Sequence, residues 1–146
     1  MIIRKMTSND YESVYTLWIN TPNMGLNNID DSKPGMEKYL ARNPETCFVA
    51  EKSSCIIGVI LSGHDGHRGY IHHTAVSVSE QRAGVGTALL NAALSALEAE
   101  GISKVALVVF SKNEKGNSFW EKQGFIERKD LVYRNKAIVD LTRIDT

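Results

Sequence analysis

Around residues 75–79, Val76 and Val78 alternate with small polar residues, and this period of two predicts a half-buried strand. At Gly84 the period changes. Val85, Ala88, Leu89, Ala92, Ala93, Ala96 and Leu97 recur every three or four residues on one helical face, until Gly101 supplies a stop. A strand, a glycine turn and a helix therefore organise the middle of the chain. Before them, residues 1–5 read as a strand. Thr7 and Asp10 have the spacing of a capping box ahead of a helix that turns Tyr11, Val14, Leu17 and Trp18 inward and ends near Pro22. Residues 23–33 are a polar loop. Pro34 opens a second helix with Met36, Tyr39 and Leu40 inward, closed at Asn43 and Pro44.

Residues 47–51, 56–61 and 70–78 read as three antiparallel strands, joined by turns at 52–54 and 63–69. Residues 105–110 are almost continuously apolar, as in a strand buried on both faces beside a parallel partner. Residues 112–122 form a short helix stopped by Gly124, and residues 125–133 and 137–144 read as a final hairpin. The pattern predicts one α/β domain over residues 1–146, with about four helices and a mixed sheet of six or seven strands.

Composition narrows the function. Seventeen basic residues balance seventeen acidic ones, so no global field draws the chain to nucleic acid or to an anionic membrane. No apolar run approaches the ~20 residues of a membrane span, and the first residues lack a signal-peptide core, so a cytoplasmic protein is expected. The two cysteines, Cys47 and Cys55, are too few for a disulfide scaffold and are expected to be reduced. No metal site is expected. His64 and His67 sit with Asp65 in a turn, where hydrogen bonding accounts for them better than a metal.

The glycine turn admits three readings. It can be an ordinary connection from strand to helix. As a dinucleotide site it would need a third glycine, but position 89 is Leu89, and the acidic ribose-binding pattern is missing. No Gly-Lys-Ser/Thr tripeptide supports a phosphate-clamping loop. In the third reading, Gln81, Gly84 and Gly86, between an apolar strand and an Ala/Leu-rich helix, resemble the acetyl-CoA pyrophosphate loop of the GNAT acetyltransferase superfamily. A second stretch agrees. Asn113, Gly116, Trp120, Lys122, Gly124 and Phe125 fall in register with that superfamily's second signature. The turn at residues 63–69 resembles that of the YpeA-type bacterial branch.

The resemblance implies a GNAT fold whose central strands, 70–78 and 105–110, splay to admit acetyl-CoA. The backbone of Val76, Ser77 and Val78 would bind the pantetheine arm like an added strand. Gln81 and the N–H groups of Arg82, Ala83, Gly84, Val85, Gly86 and Thr87 would hold the pyrophosphate at a helix N-terminus. Asn113 would bind the pantetheine side, with Trp120 near it. The expected activity is transfer of acetyl from acetyl-CoA to a primary amine of a small molecule or peptide.

Proton transfer does not carry over. Trp120 occupies the position of the tyrosine that often protonates the thiolate, and Tyr70 and Val108 occupy glutamate positions. These departures motivate an alternative, a CoA-binding sensor or interaction module without turnover. If there is turnover, His72 and His73 are the candidate bases, because they lie on the strand bordering the acetyl group, on opposite faces by alternation. Asp30 and Asp31 lie in the loop that, by the resemblance, lines the acceptor site, where they would either attract an ammonium group or form a solvated loop pair. The final hairpin would offer an edge strand to a second copy, so the chain is expected to be a monomer or homodimer.

Overall fold

The computed structural model describes residues 1–146. In chain order the elements are β1 (Ile2–Lys5), α1 (Tyr11–Ile19), β2 (Leu26–Asn27), α2 (Lys33–Arg42), β3 (Phe48–Lys52), β4 (Cys55–His64), β5 (Gly69–Val76), α3 (Val85–Ala99), β6 (Val105–Ala106), α4 (Glu114–Lys122) and β7 (Arg143–Ile144). The α/β architecture, the four α-helices and the mixed sheet are those the pattern predicts. The seven strands divide into a five-stranded sheet, ordered β1-β3-β4-β5-β6, and a two-stranded pair of β2 with β7. Only the β5–β6 pairing is parallel within the larger sheet.

Alternation along the strands feeds two cores. Val49, Val59, Leu61 and Ala75 face α1 and α2, where they meet Val14, Trp18, Met36 and Leu40. Their neighbours Ala50, Ile60 and Ile71 face the opposite side, where Val85, Leu89, Leu90 and Ala93 of α3 cover them. Each fully buried Leu or Val of α3 contributes ~1.5–3 kcal/mol relative to exposure. Gly58 lets α3 approach β4, because a Cβ there would stand 3.0 Å from Leu89 Cδ1 and from Val85 Cγ1.

The predicted capping box is present. Asp10 accepts from the Thr7 N–H at 2.9 Å and receives a two-pronged bond from Arg4 at 2.9 and 2.8 Å. Burial pushes the Asp10 carboxyl up, but the Arg4 and Thr7 hydrogen bonds outweigh it and hold the pKa below 3.8. Because the folded carboxyl titrates lower than the unfolded one, its contribution is full above pH 3.8 and disappears as pH falls through the folded value. Asp10→Ala should therefore cost roughly 1–3 kcal/mol in urea unfolding at pH 7, the usual penalty for stripping partners from half-buried donors. The gap between wild type and variant should close in acid, and a constant gap would refute this account.

Two expectations fail in the last third of the chain. The strand predicted over residues 105–110 pairs only at Val105 and Ala106, and it is not buried on both faces. Val108 is 55% exposed and Phe110 41%. The hairpin predicted over residues 125–144 does not form. Ile126, Val132 and Ile138 are exposed, and only Arg143–Ile144 pairs, against Leu26–Asn27. Period-two patterning needs a partner surface, and a lone two-stranded hairpin is marginal in water. The short β6 leaves this segment no ladder to extend. Both cysteines are free, as expected, and burial pushes the Cys47 thiol up to about 12. No helix is long and apolar enough to cross a membrane.

Candidate functional site

The site forms where β5 changes register. Ile60 pairs with Thr74, but Ser62 pairs with Ile71, so the single residue Leu61 stands opposite both His72 and His73. This is a β-bulge, which re-aims side chains. Strict alternation puts the two imidazoles on opposite faces. With the bulge, both line one cleft of about 890 Å³. The β5–β6 ladder ends one step earlier, after Gly69–Val105 and Tyr70–Ala106, and the open gap continues between β5 and residues 107–110.

His72 is the more open of the two. Its ring meets Tyr70 at 4.5 Å and Tyr39 at 5.6 Å. Although partly exposed, it sits in this concave aromatic corner. Desolvation there, helped by neighbouring His73, lowers its pKa below 6.5 against the opposing pull of Asp31 and Asp30. At neutral pH it is an unprotonated imidazole facing the cleft. His73 is held instead. Its Nε2 lies 2.6 Å from Asp31 Oδ1, and Trp18 meets its ring edge-on at 5.1 Å. Asp31 is 4% exposed, and its other oxygen accepts from the Asn27 N–H at 2.7 Å. Burial pushes the Tyr39 and Tyr70 phenols up, so both keep their protons and stay donors.

The glycine turn lies past the other end of β5. Arg82 and Gly84 both adopt left-handed backbone, with φ of 64° and 83°. Gly84 is the N-cap of α3 without a side-chain cap, and Gln81 is the last residue of the turn whose N–H bonds within the chain, to the Val78 carbonyl. The N–H groups from Arg82 to Thr87 find no acceptor within the chain. Consecutive N–H groups in such a conformation, ahead of a helix, form a concavity for an anion. A side chain at Gly84 would meet nothing within 4 Å, whereas a Cβ at Gly86 would press on Phe119 at 3.2 Å. Gly86 thus permits α4 to close on α3. Gln123, the C-cap of α4, reinforces that contact, donating to Thr87 Oγ1 at 3.0 Å.

The remaining predicted residues are more constrained than expected. The Val76 carbonyl accepts from Gln81 Nε2 at 3.2 Å, and the Ser77 N–H donates to Ile57 O at 2.8 Å, so this backbone is not wholly free for a ligand. Val78 leaves the strand for a short 3-10 turn. Asn113 Oδ1 caps α4 by accepting from the Gly116 N–H at 2.9 Å. Asn113 and Trp120 both line the cleft, and Trp120 is packed between Phe119 and Phe125. His64, Asp65 and His67 form a hydrogen-bonded turn in which Asp65 accepts from the His67 and Arg68 N–H groups. No three His, Cys, Asp or Glu side chains converge on a metal-sized site. Sequence reading missed Tyr39 and the bond from Asp31 to His73. These partners are 33 and 42 positions from the strand residues they meet, and no local signal joins them.

Similarity to known proteins agrees with this geometry. The profile described as "Acetyltransferase (GNAT) family" matches residues 11–125. An acetyltransferase of Photorhabdus laumondii is 30% identical over 144 residues, covering 96% of this chain and 98% of the relative. Ard1 from Thermoplasma volcanium superposes with a TM-score of 0.76 at 25% identity, over 86% of this chain and 82% of the other. PaiA N-acetyltransferase from Thermoplasma acidophilum, solved in complex with coenzyme A, gives 0.73 at 19% identity, over 84% and 87%. With a profile spanning most of its length and a relative matched from end to end, this chain belongs to the GNAT acetyltransferase family and is an N-acetyltransferase.

Proposed function

We propose that residues 1–146 form one acetyltransferase domain that uses acetyl-CoA and acetylates a primary amine of a small molecule or peptide. The observation that carries this reading is the arrangement along β5. An anion cradle at residues 82–87 follows its C-terminal end, and a bulge at His72 and His73 opens into the cleft further back along the same strand. From His73 to Val76 is three residues, ~10 Å of extended chain, along which an extended arm could run from the cradle toward the cleft. The coenzyme A complex of the Thermoplasma acidophilum neighbour supports the same cosubstrate. The same reading keeps the enzyme cytoplasmic, with its two cysteines reduced.

When bound, acetyl-CoA supplies the activated acetyl group. The protein's residues do the rest. Open N–H groups at 82–87 hold the diphosphate, and Trp120 and Asn113 wall the cleft. Neutral His72 takes a proton from the incoming ammonium or from the attacking nitrogen, directly or through water. Asp31 fixes the ring of His73 and leaves its Nδ1 as the only nitrogen free to face a ligand. Tyr70 and Tyr39 stay protonated and orient groups beside His72. Much of the acceleration comes from holding amine and thioester together.

The test has two parts. Calorimetric titration should give acetyl-CoA binding and no NADH binding, and thiol release should appear with at least one member of a panel of peptides, polyamines and amino acids. Binding to NADH alone would sink the reading. Acetyl-CoA binding with no thiol release from any amine would favour the CoA-binding module without turnover.

A further inference from the structure

A second cavity of about 490 Å³ adjoins the cleft, sharing Tyr39, Arg42, Tyr70 and His72 with it. Its rim carries three cations, Arg42, Arg68 and Lys104, and none of them has a carboxylate within ion-pairing distance. The only carboxylate lining it is Asp65, one of whose oxygens already serves the His67 and Arg68 N–H groups, both at 2.8 Å. His64, also on the rim, faces Glu100 at 3.1 Å. In a chain with no net charge, this is a local surplus of positive charge.

The rim is built by the fold. Arg42 ends α2, and the next residue, Asn43, is 6% exposed and accepts from the His64 N–H at 3.1 Å, joining the helix end to the end of β4. Gly63 is required there, since a Cβ would stand 2.6 Å from the Asn43 side chain. Asp65 fixes the turn that presents Arg68. Lys104 is tied to β5 because its carbonyl accepts from the Gly69 N–H at 3.0 Å.

Position decides what these cations meet. They gather at the start of β5, whereas the anion cradle follows its end. Seven residue steps, roughly 20 Å of strand, separate Gly69 from Val76, so these cations do not serve the diphosphate. A cosubstrate entering from the cradle leaves this end of the cleft to the acceptor. Three residues separate Gly69 from His72, a distance on the order of 10 Å. The acceptor region is therefore bipolar. Asp30 and Asp31 line the first cleft with the imidazoles, Arg68 and Lys104 line only the second cavity, and Arg42 stands on both.

We propose that the acceptor is a small primary amine that also carries an anionic group, a carboxylate or a phosphate, on the order of 10 Å from the amine, and that Arg42, Arg68 and Lys104 bind that group. This rests on the acetyl-CoA reading of the same cleft. The test uses matched pairs: a glycyl tripeptide with a free C-terminal carboxylate against its C-terminal amide, and glucosamine 6-phosphate against glucosamine. Each is titrated calorimetrically into the protein with and without saturating coenzyme A. The anionic member of at least one pair should bind tenfold or more tightly than its neutral partner, and the pair that responds identifies carboxylate or phosphate. In the Arg68→Gln/Lys104→Gln double variant, with circular dichroism confirming its fold, the preference should fall toward one. Equal binding within both pairs, no binding of any member, or a preference that survives the double substitution overturns the proposal. A failure of coenzyme A itself to bind overturns the acetyl-transfer reading instead, while the anion preference is still read in the free protein.

Discussion

Replacing His72 by alanine should lower kcat/KM at pH 7 well beyond tenfold with a competent acceptor, in the ~10²–10⁴-fold range usual for loss of a general base. Desolvation lowers its pKa below 6.5, so the neutral ring predominates at pH 7. An alkyl amine with a pKa near that of lysine, ~10.4, is nearly all protonated at that pH. In wild type, the acidic limb of kcat/KM should therefore have its midpoint below 6.5. In His72→Ala that limb should disappear, and activity should climb with pH as free amine accumulates. His73→Ala should also lose more than tenfold. The bond from Asp31 provides a separation of roles, because Asp31→Asn keeps the imidazole but removes the charge that holds it. It should slow turnover while leaving the His72 limb in place. Near-normal activity and an unchanged pH profile in both histidine variants would mean that the proton leaves by water alone.

The second large effect concerns the anion cradle. Gly84→Val should raise the dissociation constant for acetyl-CoA at least tenfold, and the cause is backbone conformation. At φ of 83° a side chain meets no neighbour, yet a β-branched residue resists left-handed backbone by ~1–2 kcal/mol or more. The turn relaxes to another conformation, and its N–H groups no longer converge. Gly101 is the control. It has φ of 82° and equally open surroundings, but it lies at the far end of α3. Gly101→Val should lower the melting temperature and leave acetyl-CoA affinity intact. Gly86→Val should weaken binding by a different route, pressing on Phe119 and displacing α4 with Trp120. Equal affinity in wild type and Gly84→Val would show that the turn is only a connection between β5 and α3.

Some of this site was legible in the sequence because the forces that shape it act over a few residues. The apolar stripe of α3, its glycine start and the pairing of Thr7 with Asp10 are each decided within a turn or two of chain. Their structures follow from helical period, left-handed tolerance and short hydrogen bonds. The same local rules give the alternation that sorts Val49 from Ala50 and Val59 from Ile60 between two cores. The α/β class and the glycine turn thus belong to the sequence itself.

The tertiary structure decided the rest, because those features need partners that local pattern does not name. His72 and His73 share a cleft only because β5 carries one extra residue opposite Leu61, a register set by pairing across two strands. His73 is oriented by an aspartate 42 residues away, in a loop whose polarity alone gave no direction to its side chains. Residues 107–110 and 125–141 carry strand-like patterns, yet they join no strand, since a pattern states which face prefers burial and not whether a partner edge exists. The cations of the second cavity come from α2, from the turn after β4 and from the residue before β6. Each is an ordinary exposed charge in its own segment, and only the packing of β5 between them makes three repelling charges share a rim that an anion can neutralise.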